Sequence, residues 1–263
     1  MLRPRIIPCL LLKNTRLVKG IQFKNHRYVG DPINAVKIFS DKEVDELVFL
    51  DITATNEHRK PSLKLIQDIA DECFMPFSVG GGIETLEDIK SILSAGSEKV
   101  VLNSYAVENK NLIKEASDRF GSQSVVVSID VKQKNNQYEV YTHSGNKATG
   151  LNPFDLAIEM EKLGAGEIFL TSIDRDGMYC GYDLELIRNI VDIVNIPVIC
   201  CGGAGTSQHL RDGLEIGRAS GVAAGSMFIF HGPAKAILIN SLPREEIGQL
   251  HKIERQDYAK ANM

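Results

Sequence analysis

Short, nearly continuous apolar runs alternate with amphipathic stretches along this chain. The runs begin near Arg5 (RIIPCLL), Glu46 (ELVFLDI), Phe77 (FSVGGGI), Lys99 (KVVLNS), Val125 (VVVSIDV), Glu167 (EIFLTSI), Pro197 (PVICCGG) and Gly221 (GVAAGSMF). A strand that is apolar throughout is buried on both faces, which points to a parallel sheet covered by helices. Two of the intervening helices announce their starts. Asp31-Pro32 and Asn152-Pro153 each place a side-chain acceptor before a proline, and Gly164 stops the second. Eight strand–helix units predict an α/β fold, a single-domain (βα)8 TIM barrel over residues 1–263, with a polar tail at about 243–263 as a surface appendage. The competing architecture is a doubly wound open sheet. It ordinarily carries a GxGxxG turn after its first strand, where this chain reads LLLKNTRLVKG.

The two halves repeat. FLDITAT around Asp51 aligns with FLTSIDRDG around Thr171, SVGGGI with ICCGGAG, and VVLNS around Asn103 with VAAGS around Gly225. Two fused half-barrels are expected, with paired sites on opposite sides of the C-terminal rim.

Composition narrows the function. With 263 residues, 43% of them hydrophobic, the chain can bury one sizeable core, and a formal charge of -4 gives no field to attract nucleic acid. The N-terminal apolar stretch of about seven residues is too short to span a bilayer and lacks a small-residue cleavage site, so a cytoplasmic protein is expected. Five cysteines (Cys9, Cys73, Cys180, Cys200, Cys201) show no CxxC pair, and neighbours in a strand, such as Cys200 and Cys201, point to opposite faces. The six histidines are scattered, and His143 and His231 read as surface or substrate-contacting residues. No metal or organic cofactor is implied.

Candidate chemistry gathers at strand ends. The third and seventh strands end in Gly80-Gly81-Gly82 and Gly202-Gly203, the fourth and eighth in Asn103-Ser104 and Gly225-Ser226. Glycine lets backbone N–H groups approach an anion, so two related clusters at equivalent places predict two phosphate cradles and a substrate phosphorylated at both ends. Between them stand Asp51, Asp130, Asp174 and Asp176. Asp130 directly follows VVVSI, where a charge is costly without a role, and is the expected acid or base. Asp174 pairs with Arg175 or a neighbouring loop. At the other end, Arg5, Glu46, Lys99 and Glu167 each open a strand and share parity with inward residues such as Cys9, Val101 and Thr171. Four alternating charges suggest a salt-bridged ring sealing the floor.

Over residues 1–230 the chain resembles the cyclase subunit of imidazole glycerol phosphate synthase: RIIPCL, VKG, GDP, DELVFLDITA, VGGGI, AVEN, FGSQ, VVVSID, TGL, GAGEI, LTSIDRDG, GYD and GGAG stand in that family's order. The resemblance implies an ammonia-dependent carbon–nitrogen lyase, or cyclase, that receives ammonia from a glutaminase subunit docked at the barrel bottom. It turns the floor ring into a gate of Arg5, Glu46, Lys99 and Glu167. It assigns phosphate contacts to Gly82, Asn103, Ser104, Gly177, Gly203 and Ser226, with Lys19 on the first loop and Thr171 and Asp176 in the pocket; Asp51 and Gly225 join them as strand-end residues.

The family's aspartate at the end of the first strand is replaced here by Leu11. The half-barrel repeat gives the same result, because Leu11 falls on Asp130 when RIIPCLL is laid on VVVSID. Losing one proton-transfer group typically costs about 10²- to 10⁴-fold in rate. The leucine, with FKNHRYVGDPINA, ECFMPF and HSGNKATGL, resembles a divergent branch associated with surface-polysaccharide genes. That likeness implies a glutaminase partner and an ATP-dependent amidotransferase converting an acetamido group on a sugar to an acetamidino group. Two other readings stand beside it: a working histidine-pathway cyclase, and a noncatalytic phosphate-binding scaffold that activates a glutaminase.

Overall fold

The Val-, Ile- and Leu-rich runs become strands because a pleated backbone buries branched side chains on both faces at once. The computed structural model describes residues 3–253. In it the runs form β1 (Arg5–Lys13), β2 (Leu47–Asp51), β3 (Phe77–Gly80), β4 (Lys99–Leu102), β5 (Val125–Lys134), β6 (Glu167–Ser172), β7 (Val198–Cys201) and β8 (Gly221–Ala224). Each pairs in parallel with the next, and Arg5 of β1 registers with Gly221 of β8 to close the barrel.

Side chains alternate between two cores. Ile7, Cys9 and Leu11 of β1 join Val48, Val101, Val126, Phe169, Ile199 and Cys201 inside the barrel. Ile6, Leu10, Phe49, Ile168, Leu170 and Cys200 face outward against the helices. Cys200 and Cys201 therefore separate to opposite faces, as adjacent strand residues must.

The outer layer comprises α1 (Pro32–Asp41), α2 (Leu63–Glu72), α3 (Leu86–Ser94), α4 (Ser104–Glu108), α5 (Asn111–Phe120), α6 (Pro153–Lys162), α7 (Leu184–Val191), α8 (Ser207–Glu215), α9 (Ser226–Ile229) and α10 (Arg244–His251). Asp31 accepts from the backbone N–H groups of Ile33 and Asn34, and Asn152 from that of Phe154, so both cap-and-proline starts form. No helix among the described residues is long and apolar enough to cross a membrane.

Three additions decorate the rim. Strands Arg16–Ile21 and Lys24–Gly30 form a hairpin after β1, β5 continues into a pairing with Gln137–Thr142, and Phe230–His231 pairs with Ala236–Ile237. The tail departs from expectation. Its polar residues conceal Ile247 and Leu250, three apart on one helical face, and α10 buries both. His251 then reaches Asp45 Oδ2 at 2.8 Å. The tail is thus a packed helix as far as His251, and residues 254–263 lie outside the described residues.

Candidate active site at the C-terminal mouth

The strand C-termini surround a cavity of about 930 Å³, its open mouth included. Asp130 lines it one residue before the end of the buried part of β5 and is 8% exposed. Its Oδ1 accepts from Ser128 Oγ at 3.1 Å and its Oδ2 lies 3.3 Å from Asn103 Nδ2. Thr171, its register partner on β6, also offers its hydroxyl. Burial pushes the Asp130 carboxyl up to about 7; the Ser128 and Thr171 hydroxyls oppose that rise and the nearby Asp176 charge adds to it. A carboxyl near neutrality can give or take a proton at working pH.

The other aspartates are committed elsewhere. Asp51 lines the cavity, but Arg59 holds its two oxygens at 2.7 and 2.9 Å and the Thr53 and Ala54 N–H groups cap it. Asp176 binds Lys19 Nζ at 2.6 Å, both side chains being buried. Burial works against the Lys19 charge, yet Asp176 outweighs it and raises the lysine above its ordinary range. Asp174 turns outward to accept from Gln133 N at 2.7 Å, near the end of β5, rather than from Arg175 or a neighbouring loop.

The predicted anion-binding residues separate into two groups. Gly82, Asn103 and Ser104 line the cavity beside Asp51, and Lys19, Thr171, Asp176 and Gly225 close its far wall. Gly82 has φ +67° and a Cβ there would strike the Arg59 carbonyl, so the tight approach requires glycine. Its N–H is engaged by Thr55 Oγ1 at 3.1 Å. Gly177, Gly203 and Ser226 stand outside this cavity: the first hairpin lies across Gly177, with Gly20 and Ile21 against it.

Below the interior column, the four floor charges close a ring. Arg5 binds both glutamates, at 2.6 Å for Glu46 and in direct contact with Glu167. Lys99 Nζ lies 2.9 Å from Glu46 and 3.2 Å from Glu167. Ser78 adds a hydrogen bond to Glu46 at 2.9 Å. The glutamates are 2% and 6% exposed while Arg5 and Lys99 are half-buried, so the buried negative charge is compensated within the ring.

Three participants escaped sequence reasoning. Ser128 was findable, since a residue two before Asp130 shares its strand face. His26 was not, because KNHRYVG carries no apolar alternation to show which side chains turn inward. It lines the cavity half-buried, and burial, then the Lys19 charge, lower its pKa. Cys201 contacts Cys9 across the interior; that contact and burial hold its thiol well above the usual range, which makes it a poor nucleophile. His143 sits at the rim, 3.8 Å from Glu108, and His231 is exposed. Among the described residues no three metal-ligating side chains gather.

The profile of the family described as "Histidine biosynthesis protein" matches residues 5–233. A Leptospira interrogans relative named for imidazole glycerol phosphate synthase subunit HisF is 48% identical over 94% of this chain and 98% of its own. A Leptospira borgpetersenii counterpart is 50% identical over 91% and 95%. A Pseudomonas aeruginosa relative named for subunit hisF2 of the same synthase is 49% identical over 91% and 96%. With that similarity running through the whole barrel, the chain belongs to the HisF family, the cyclase-type subunits of imidazole glycerol phosphate synthase.

Proposed function

We propose that the barrel receives ammonia at its floor from a glutaminase subunit and delivers it through the apolar interior to a phosphorylated acceptor at the mouth. The acceptor reaction is amidination: an acetamido group on a sugar becomes an acetamidino group in surface-polysaccharide (O-antigen) synthesis, with an ATP-dependent amidotransferase activating the amide carbon. One observation carries this reading. Of the three carboxylates on the mouth cavity, Asp51 and Asp176 are ion-paired and only Asp130 lacks a cationic partner among the described residues, while Leu11 lines the same cavity in place of a second free acid.

Chemistry that shares proton transfers between two carboxylates is one group short here. Amidination needs less. The ammonia lone pair forms a C–N bond to the activated carbon, the leaving group departs with its electron pair, and the new nitrogen passes a proton to Asp130, poised near 7. Neutral ammonia suits the route, since Val48, Val101, Val126 and Ile199 offer no compensation for an ammonium charge.

A second reading, the histidine-pathway cyclase, is favoured by His26, whose lowered pKa leaves a neutral imidazole on the same cavity, and by relatives named for that synthase. Product analysis separates the two. The barrel supplied with glutaminase and glutamine, or with ammonia, is given the histidine-pathway ribonucleotide in one assay, and an acetamido nucleotide sugar, ATP and the amidotransferase in the other. Amidine in the second with little imidazole glycerol phosphate in the first is expected; brisk release of imidazole glycerol phosphate overturns amidination in favour of cyclisation.

A further inference from the structure

Three rim segments meet beside Ser226 in an arrangement that the ammonia route does not use. Arg27 of the first hairpin stacks its guanidinium 4.2 Å from the Phe230 ring centroid and donates to the Lys235 carbonyl at 3.0 Å. Lys235, in the turn of the C-terminal hairpin, places Nζ 4.6 Å from the ring centroid of Tyr179. The Tyr179 hydroxyl is buried and lies beside Ser226. Tyr179 also holds φ +59°, a conformation that a non-glycine residue keeps only where its surroundings impose it.

Among the described residues neither Arg27 nor Lys235 has a carboxylate partner. Aromatic rings and a carbonyl fix both cations in place without cancelling their charge. The Gly82–Ser104 end of the mouth is different: Arg59 pairs with Asp51, Lys60 with Glu84 and Asp88, and Lys147 with Glu108. That end suits one phosphate held by backbone and hydroxyl donors. At the other end, one phenol ring separates Ser226 from an uncompensated ammonium at the rim, so an anion bound there gains by being extended.

We propose that the Ser226 end is a diphosphate seat, with the inner phosphoryl group against Ser226 and the Tyr179 hydroxyl and the outer one against Lys235 and Arg27. This rests on the mouth being the acceptor site and names the acceptor's class: a diphosphate-linked molecule, as in a nucleoside diphosphate sugar, whose remaining portion projects past the rim.

Calorimetric titration of the full chain with inorganic pyrophosphate and with inorganic phosphate, in chelator and at fixed ionic strength, tests it. Neither glutaminase nor ammonia is present, so a failure of ammonia transfer leaves this result readable. Pyrophosphate is expected to bind about tenfold more tightly than phosphate, and Lys235→Gln or Arg27→Gln to remove most of that preference while changing phosphate affinity less than about twofold. Because Arg27 also braces the hairpin, Arg27→Lys is the control: it keeps the charge and retains most of the preference. Equal binding of the two anions by the unaltered chain, or a preference that survives Arg27→Gln combined with Lys235→Gln, overturns the proposal.

Discussion

Lys19 Nζ sits 2.6 Å from Asp176 Oδ1 with both side chains buried, and the other Asp176 oxygen is buried without a partner among the described residues. This pair ties the first hairpin to the loop after β6, beside Gln22, which donates to the Asp176 and Asp174 carbonyls. Removing one member strands the other charge in a low-dielectric site, whereas removing both does not. Lys19→Met should therefore lower stability by about 3 kcal/mol, and Lys19→Met with Asp176→Asn by appreciably less. Urea unfolding of the four proteins of this double-mutant cycle measures the coupling; additive losses would mean that the pair does not hold the hairpin.

Asp130 carries a pH signature. Its folded-state pKa, about 7, lies above the ordinary carboxylate value of 3.8, so the folded chain keeps this proton while the unfolded chain has already released it. Asp130 therefore makes stability fall as pH rises from about 4 to about 7, by an amount of order 4 kcal/mol, with no further change from it above that. Asp130→Asn, neutral at every pH, should flatten this segment and leave the protein more stable than the unaltered chain at pH 8. Denaturant unfolding at pH 5 and pH 8 reads the difference. The same variant should slow product formation about 10²- to 10⁴-fold if Asp130 moves the proton. Full activity of Asp130→Asn would instead support a noncatalytic scaffold.

The barrel was legible in the sequence because eight runs buried on both faces leave a signal that needs no partner information. Asp130 and the floor charges were legible for a related reason: each lies at a fixed parity from apolar neighbours in its own strand. What escaped depends on contacts between segments. Nothing local says that Arg59 disarms Asp51, that Lys19 occupies Asp176, or that the first hairpin covers Gly177. The rim hairpins are short and polar, so their strands carry no period, and the α10 sequence offers only two buried apolar positions, Ile247 and Leu250, among polar and charged ones. The mouth is thus written in the strand ends, whereas the pairing that leaves Asp130 free depends on residues far apart in the chain.

Leu11 offers a gain-of-function test. It lines the mouth cavity at 7% exposure, on the wall that the half-barrel repeat aligns with Asp130. Leu11→Asp should supply a second proton-transfer group and raise release of imidazole glycerol phosphate from the histidine-pathway ribonucleotide at least about tenfold. Burying the new carboxyl should cost about 1–3 kcal/mol and, by like-charge interaction with Asp130, spread the two titrations apart. A rate unchanged by Leu11→Asp, in a variant shown to fold, would mean that the leucine is not what limits cyclisation.

The floor ring yields a prediction about coupling rather than rate. Lys99 Nζ contacts both glutamates, and without it Glu46 and Glu167 face one another with only Arg5 between them. Lys99→Met should destabilise the barrel by about 3 kcal/mol through the uncompensated buried charge. If the ring gates ammonia, the same change should let the glutaminase hydrolyse glutamine at an undiminished rate while less of the nitrogen appears in product and more escapes to solvent. Glu167→Gln, which keeps shape and weakens the pairs with Arg5 and Lys99, should uncouple less severely. Comparing glutamate released with nitrogen incorporated gives the ratio directly. A ratio that stays at one in both variants would leave the ring as a structural plug and place the ammonia entrance elsewhere.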